Sequence, residues 1–218
     1  MIKLVIENLN SKSNDCHFIF LCQKSHIAKY RIDSYLKEWA PNSEVVTVDG
    51  LTEGAACTVL LARKYIDNKE PLIIANCDQY IDSNMDDFID EWFNNQYDGM
   101  IMTMTANNPK WSFVGFNPEH KIEKVVEKEV ISDEATVGIY GFKTGHDFIE
   151  SADEMIRNND RVKNEFYVAP AYNYLIKKGA ILGIYNIGSE RNGMYGLGIP
   201  EDLDYFQKLD LAKRVCGE

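Results

Sequence analysis

The pattern of apolar and polar positions is clearest in residues 51–82, where it predicts a helix followed by a buried strand. Apolar residues recur at helical spacing over Ala55–Tyr65, and small and acidic residues, Gly54 among them, precede this helix as expected. The next run, Leu72–Ala75, is apolar on both faces, as a central strand of a covered sheet must be. Ligands of open α/β sheets bind beyond the carboxyl ends of strands. Asp78 is therefore the first candidate for a metal or nucleotide ligand.

The first hundred residues alternate between strand and helix patterns, which is typical of a parallel sheet with helical crossovers. A helix with a hydroxyl cap at Ser25 is predicted to end before Pro41. The other predicted elements of this part are a helix over Met1–Leu9, strands over Cys16–Cys22 and Glu44–Val48, and a helix over Met85–Asn94.

The second half changes to short strand-like runs separated by turns, which predicts that it completes a mixed sheet and adds a layer on the substrate side. The loop Gly188–Gly198 is rich in Gly, Asn and Ser and is predicted to be a mobile flap. The predicted strands are Gly99–Thr105, Trp111–Phe116, Lys121–Val126, Thr136–Phe142 and Ala180–Ile187, and the predicted helices are Asp147–Arg157, Phe166–Lys177 and Asp202–Arg214.

Length and composition restrict the class of protein. A chain of 218 residues predicts one domain over 1–218, with two halves at about 1–105 and about 106–218. The net charge of −11 argues against a nucleic-acid partner, which would need a basic patch. No run approaches a membrane span and no export signal is recognisable, so a cytoplasmic location is predicted. The five cysteines lack paired spacings and are interpreted as reduced core residues.

Several segments, taken in order, resemble the nucleotidyltransferases of the GT-A-like fold that make nucleotide-activated sugars and related phosphates. The resemblance starts at the strand that ends in ANCDQYID and covers nearly the whole chain. Its later blocks are NPKWSFVGF at Asn108–Phe116, VVEKEVISDEATVGIYGF at Val125–Phe142, EFYVAPAYNYLIKKG at Glu165–Gly179 and GLGIPEDLDYF at Gly196–Phe206. The resemblance implies a Rossmann-like sheet, mixed and mostly parallel, flanked by helices.

The resemblance also implies roles for individual residues. Asp78 would bind the Mg²⁺ of a nucleoside triphosphate, and Lys128 would meet the phosphate of the second substrate; these two are the predicted catalytic residues. The predicted nucleotide-binding residues are Gln23, Thr52, Gly54 and Ala55, and the predicted substrate-binding residues are Glu127, Glu165 and Tyr172.

Each assignment has a structural alternative. Asp78 could stabilise a turn, Lys128 could be a solvated charge, and Gly54 could be a packing glycine at a helix start. Aromatic residues at helical spacing, such as Tyr172, are more often core residues than ligands.

The chain departs from the family pattern in three places. Glu129 replaces the proline of the E-K-P block, and Tyr195 stands where many members carry a second metal-binding Asp. The glycine-rich basic loop that follows the family's first strand is absent, and Met1–Leu9 resembles the helix after that loop. We therefore expect either that the natural domain begins upstream of Met1 or that another chain fills the position of the first strand.

The sequence therefore predicts a nucleotidyltransferase. It would transfer a nucleoside monophosphate from a triphosphate, with CTP or UTP favoured, to a phosphorylated sugar, alditol or other small phosphate, for capsule or surface polysaccharide precursors. Mg²⁺ is the predicted cofactor, and a homo-oligomer is a possible assembly. Two alternatives stay open: a catalytically incomplete member that acts as a binding or regulatory subunit, and a GT-A glycosyltransferase, which would want an Asp-x-Asp pair that CDQYID does not supply.

Overall fold

The computed structural model describes residues 1–217 and divides their strands between two sheets. The strands are β1 (Ile19–Gln23), β2 (Glu44–Val48), β3 (Leu72–Ala75), β4 (Gln79–Ile81), β5 (Gly99–Thr105), β6 (Ser112–Phe116), β7 (Ile122–Glu127), β8 (Glu134–Phe142), β9 (Leu182–Glu190) and β10 (Gly193–Gly196). The α-helices are α1 (Ile2–Leu9), α2 (Lys24–Tyr30), α3 (Ile32–Trp39), α4 (Ala55–Leu60), α5 (Arg63–Ile66), α6 (Met85–Asn94), α7 (Gly145–Arg157), α8 (Tyr172–Lys177), α9 (Pro200–Gln207) and α10 (Asp210–Cys216), and a 3₁₀ helix spans Ala169–Ala171.

The larger sheet has eight strands in the order β4-β10-β9-β5-β8-β6-β7, and β3 pairs with β8 beside this path. Strand β8 is antiparallel to β3, β5 and β6, whereas β5, β9 and β10 are mutually parallel. It follows that β3, β5, β6, β9 and β10 run in one direction and β4, β7 and β8 in the other. This confirms the predicted mixed, mostly parallel sheet.

The smaller sheet consists of β1 and β2, which are parallel from the Ile19–Glu44 pair to the Gln23–Val48 pair. Within residues 1–217, neither strand pairs with a strand of the larger sheet.

Helices cover both faces of the larger sheet. Side chains alternate along β5, so that Ile101 enters the core below α7 and α8, while Met100 and Met102 enter the core below α6. These β5 side chains are fully buried. Strand β5 therefore has the two-faced burial that the sequence predicts for Leu72–Ala75, whereas β3 itself is only half-buried and its Ala75 is exposed.

Two predicted helices are interrupted. The helix predicted over Ala55–Tyr65 is divided into α4 and α5, because the N–H groups of Leu61 and Ala62 bond carbonyls three residues back instead of four. The helix predicted from Ser25 is divided at Arg31, whose left-handed conformation (φ 51°) ends α2. Its N-cap residue is Gln23 and not Ser25.

Two later helices are also shorter in the structure than the sequence predicts. The segment Phe166–Lys177 contains a 3₁₀ turn before α8, and Asp202–Arg214 is divided between α9 and α10. By contrast, β2, β3, α6 and β5 have the predicted bounds.

The predicted flap over Gly188–Gly198 is wrong. Residues of this segment extend β9 to Glu190 and form β10, which pairs with both β4 and β9. Met194, Tyr195 and Leu197 are buried among aromatic and aliphatic side chains of α1, α9 and α10 or of the sheet. A segment that is paired on both edges and carries buried side chains is not free to open as a flap.

The cysteines are free thiols, as predicted, but they are not core residues: Cys77 and Cys216 are exposed and the other three are half-buried. No helix within residues 1–217 has both the length and the apolar character needed to cross a membrane.

Candidate functional site

The end of β7 and the start of β6 place a carboxylate and a hydroxyl in contact. Ser112 Oγ donates a short hydrogen bond to Glu127 Oε2. Burial raises the pKa of Glu127 above its ordinary value, although the bond from Ser112 and the charge of Lys128 act in the opposite direction. Glu127 is therefore a partly desolvated acceptor, suited to binding hydroxyl groups of a substrate.

The predicted catalytic lysine lies directly after this carboxylate in an unusual backbone conformation. Lys128 has a φ of 60°, and its N–H donates to the carbonyl of Trp111 over 2.9 Å. A side chain other than glycine in the left-handed region carries a conformational cost, and such residues are concentrated at functional sites. The turn fixes the direction in which the Lys128 side chain leaves the strand.

The ammonium group of Lys128 is held by Tyr167. Its Nζ donates a short hydrogen bond to the Tyr167 hydroxyl and lies 4.5 Å from the ring centroid. The contact with Tyr167 raises the pKa of Lys128, and the carboxylates of Glu127 and Glu165 raise it further. Lys128 is therefore a firmly protonated cation with two anionic neighbours and a half-buried stem, which is a suitable arrangement for receiving a phosphate.

The segment at Gly54 and Ala55 packs against the same region through Phe166. The N–H of Phe166 donates to the carbonyl of Glu53 over 2.8 Å, and the N–H of Ala56 donates to the carbonyl of Phe166 over 3.0 Å. A Cβ atom at Gly54, which has a φ of 130°, would collide with the backbone of Phe166. The backbone contact therefore explains why this position is glycine.

These contacts bring together five of the predicted site residues. Gly54 and Ala55 lie against Phe166, which is flanked in sequence by the exposed Glu165 and by Tyr167, the partner of Lys128. We call the set Gly54, Ala55, Glu127, Lys128, Glu165 and Tyr167 the lysine cluster.

Gln23 lies at the end of β1, and Thr52 lies between β2 and α4. Gln23 Nε2 donates to the carbonyl of Gly50 over 3.1 Å, and Thr52 Oγ1 lies 2.6 Å from Thr58 Oγ1. Both side chains thus hold the turns that follow β1 and β2, and their nucleotide contacts stay predictions.

Asp78 lies beyond the carboxyl end of β3, as predicted, and its side chain is exposed. Its carbonyl accepts a hydrogen bond of 2.7 Å from the N–H of Leu197. A Cβ atom at Gly198 would collide with the Asp78 carboxylate, so this glycine leaves the carboxylate room. Within residues 1–217, no hydrogen bond or ion pair joins Asp78 to the lysine cluster.

The residues around Asp78 are compatible with magnesium, which usually binds through one or two carboxylates and keeps several waters or substrate oxygens. The structure describes no ion pair that neutralises the Asp78 carboxylate in residues 1–217, so its oxygens are available. Asp202 of the GLGIPED block instead forms an ion pair with the Arg191 guanidinium, at 3.0 Å. No second protein ligand is therefore assigned.

Tyr172 does not have the position expected of a substrate-binding residue. Its side chain is fully buried, its ring stacks on Phe142 at 4.4 Å, and its hydroxyl donates to the carbonyl of Gly141 over 2.8 Å. A substrate cannot reach a hydroxyl in this environment. The prediction for Tyr172 is corrected: it is a core residue.

One residue of the site was not predicted from the sequence. Ser112 contacts Glu127, and only its location in a resembling block could have suggested it. Tyr167, in the block that resembles the family's substrate side, and Gln79, beside Asp78 after the end of β3, were both indicated by the sequence. Gln79 is buried, and its Nε2 has no hydrogen-bond partner within the described part of the chain.

Residues 1–174 match the family described as nucleotidyl transferase. The chain belongs to the nucleotidyl transferase family. This membership identifies an enzyme of the nucleotidyltransferase type and agrees with the predicted resemblance. A comparison with curated proteins found no match.

Solved structures of nucleotidyltransferases have the same fold. A nucleoside-diphosphate-sugar pyrophosphorylase from Vibrio cholerae RC9 is 23% identical, with a TM-score of 0.76 over 89% of this chain and 82% of that one. A UDP-glucose pyrophosphorylase complexed with UDP-glucose is 14% identical, with a TM-score of 0.68 over 95% and 87%. The inositol-1-phosphate CTP transferase from T. maritima is 12% identical, with a TM-score of 0.62 over 92% and 76%. At these levels of sequence identity, the similarity shows a shared fold.

Proposed function

We propose that this protein transfers a nucleoside monophosphate from CTP or UTP to a phosphorylated sugar, alditol or similar small phosphate and releases pyrophosphate. The observation that carries the proposal is the lysine cluster, in which a protonated Lys128 and a half-buried Glu127 are adjacent. A cation beside a desolvated carboxylate is suited to a molecule that carries both a phosphate and hydroxyl groups. The solved structures of sugar-nucleotide and inositol-phosphate enzymes with this fold support the substrate class.

In the proposed reaction an oxygen of the acceptor phosphate attacks the α-phosphorus of the triphosphate, and the bond to pyrophosphate breaks. Lys128 would hold the acceptor phosphate and screen its charge from the approaching triphosphate. Glu127 and Ser112 would bind the hydroxyl groups and orient the acceptor. Asp78 would hold Mg²⁺, which supplies charge neutralisation to the phosphates when bound.

We further propose that the chain acts in capsule or surface polysaccharide precursor synthesis and is cytoplasmic. The alternative is a binding or regulatory subunit without catalysis, because a triphosphate is normally cradled by backbone amides and a basic side chain of a glycine-rich loop, and no such loop occurs in the sequence.

The exchange Asp78→Asn tests the metal assignment. It removes one negative charge without changing shape, and the side chain is exposed, so the fold should be kept. We expect the Mg²⁺ dependence of CTP or UTP binding, measured by calorimetry, to be lost. Asp82→Asn, exposed at the opposite end of β4, is the control and should retain that dependence. Unchanged Mg²⁺ dependence in Asp78→Asn would show that the ion is bound elsewhere.

The exchange Lys128→Met tests the acceptor site. Loss of a charge-assisted contact should lower kcat/KM for the phosphorylated acceptor about 10- to 100-fold and leave the KM for the triphosphate nearly unchanged. Lys124→Met, on the exposed side of the same strand, is the control and should behave as the unmodified protein. Equal weakening of both substrates by Lys128→Met would contradict the assignment.

A further inference from the structure

A row of polar side chains crosses five strands of the larger sheet and begins at the lysine cluster. The strand registers place at one level a residue from each of β7, β6, β8, β5 and β9, and in that order they are Glu127, Ser112, Thr136, Thr103 and Asn186. Residues that are paired across neighbouring strands project from the same face of a sheet. We call this set the polar row. It lies on the face that also carries Ile101, below α7 and α8.

Glu134, the first residue of β8, is a second carboxylate that is held in the same way as Glu127. It lies two residues before the β8 member of the polar row and therefore projects from the same face. Glu127 Oε2 accepts a hydrogen bond from the Ser112 hydroxyl. Glu134 Oε2 accepts one from the Thr103 hydroxyl over 2.6 Å and one from the Asn186 amide over 2.9 Å. Within residues 1–217, the Oε1 oxygen of each carboxylate has no hydrogen-bond donor and is available to a ligand.

The two ends of the polar row can be reached by a ligand, whereas its middle is covered. Thr103 and Thr136 are 0% and 2% exposed, so they support the row from below. Glu127 and Glu134 are half-buried, and Asn186 is exposed. Two strand spacings of about 4.8 Å and two residues of about 3.3 Å separate the Cα atoms of Glu127 and Glu134, which places them about 12 Å apart. One ligand that contacts both carboxylates must therefore be extended.

The groups around Glu134 favour hydroxyl groups over a cation as the ligand. Asn186 Nδ2 lies 3.4 Å from Thr105 Oγ1, and Thr105 is paired with Ser189 on the neighbouring strand. The Asn186 end of the polar row thus offers hydroxyl and amide donors as well as a carboxylate acceptor. A sugar or polyol hydroxyl both donates and accepts hydrogen bonds, whereas an ammonium group only donates. A chain that carries several hydroxyl groups therefore matches this surface.

We propose that Glu134 and Asn186 form a second hydroxyl-binding subsite, so that the acceptor is a phosphorylated polyol or sugar whose hydroxyl groups extend from Glu127 to Glu134. This inference rests on the proposed function, in which Lys128 holds the acceptor phosphate. The hydroxyl groups next to the phosphate bind at Glu127, and those furthest from it bind at Glu134. A short acceptor fills only the subsite at Glu127, so the second subsite selects for long acceptors.

Polyol monophosphates of different length test the second subsite. The probes are glycerol 3-phosphate, ribitol 5-phosphate and glucitol 6-phosphate, titrated into the full chain by calorimetry in the presence of Mg²⁺ and the α,β-methylene analogue of CTP or UTP. We expect the two longer compounds to bind at least tenfold more tightly than glycerol 3-phosphate. Equal affinity for all three compounds would overturn the proposal, because the additional hydroxyl groups would then have no partner. Tighter binding of 5-aminopentyl phosphate than of ribitol 5-phosphate would overturn it in favour of an ammonium ligand.

The exchange Glu134→Gln removes the charge of the second subsite and keeps the shape of the side chain. It should weaken binding of the two longer compounds about 10-fold and leave glycerol 3-phosphate unchanged. Asp133→Asn removes the same charge from the exposed neighbouring residue and is the matched control, with unchanged affinities. Asn186→Ala, at an exposed position where the fold should be kept, should give the same selective loss and provides the test if Glu134→Gln does not fold. Unchanged affinity for the longer compounds in the folded variants would overturn the second subsite.

The exchange Lys128→Met separates this inference from the proposed function. All three compounds carry the phosphate, so this variant should weaken all of them to a similar degree. If Lys128→Met weakens binding while the exchanges at Glu134 and Asn186 do not, the second subsite is wrong and the acceptor site at Lys128 stands. If the unmodified protein binds none of the three compounds, both the second subsite and the proposed acceptor class are wrong.

Discussion

The two sheets of this protein are built from similar sequences but have different burial. Strand β1 reads IFLCQ and is half-buried throughout, whereas β5 reads GMIMTMT and is fully buried up to its last residue. Strand β5 has strands on both edges and helices on both faces, while β1, within residues 1–217, has a strand on one edge only. The comparison shows that an apolar run specifies a strand, and that its neighbours decide how much the strand contributes to stability.

The same contrast applies to the candidate site. The lysine cluster belongs to the larger sheet and is fixed by hydrogen bonds between its own members and to the segment around Phe166. Asp78 lies beyond β3, at the edge that faces the smaller sheet, with an exposed carboxylate. The lysine cluster is therefore preorganised, whereas Asp78 lies where the two sheets are not joined within residues 1–217.

The largest expected effect compares the same exchange in the two sheets. Ile101→Ala in β5 removes a fully buried side chain and should cost about 2–5 kcal/mol. Ile19→Ala in β1 removes a half-buried one and should cost about 1 kcal/mol. Urea unfolding followed by circular dichroism measures both.

Equal costs for the two exchanges would mean that the smaller sheet is as well packed as the larger one, which would contradict the comparison.

A smaller effect is expected where the segment after β2 meets the larger sheet. Gly54 and Gly179 both have positive φ, of 130° and 88°, but only a Cβ atom at Gly54 would meet neighbouring backbone, that of Phe166. Gly179→Ala should cost about 1–2 kcal/mol from the left-handed conformation alone. Gly54→Ala should cost about 1–2 kcal/mol more, because the Phe166 backbone must also shift. Thermal unfolding of both variants gives the difference.

If Gly54→Ala weakens binding of the phosphorylated acceptor and Gly179→Ala does not, the position of Phe166 supports the lysine cluster. If both variants unfold alike, the contact between Gly54 and Phe166 does not stabilise the protein.

The smallest expected effect is the pH dependence that Glu127 contributes. Burial raises the pKa of this carboxyl in the folded protein, so the folded state binds its proton more tightly than the unfolded chain does. Stability is therefore lost as pH rises from the ordinary carboxyl range through the raised pKa. Glu127→Gln removes the dependence and should gain stability relative to the unmodified protein over that interval.

Urea unfolding between about pH 4 and pH 7 measures this change. Glu123→Gln, exposed on the same strand, is the control and should follow the unmodified protein. If the free energies of unfolding of Glu127→Gln and of the unmodified protein change with pH in the same way, Glu127 is not desolvated in the folded protein.

Much of the fold could be predicted because the necessary signals are local. The double-faced apolar run of β3, the helical stripe of α6 and the position of Asp78 beyond a strand end are all properties of short segments. The resemblance of the later blocks indicated Glu127 and Lys128, which the structure places in one cluster. Strand and helix periods depend on backbone geometry, which a short segment already specifies.

Only the tertiary structure decided which apolar segments are covered and which side chains can be reached. Tyr172 looks like an aromatic ligand in its motif, but stacking on Phe142 makes it a core residue. The segment 188–198 has the composition of a flap, but pairing with β4 and β9 makes it part of the sheet. Such contacts join residues far apart in sequence, so no local pattern of side chains contains them.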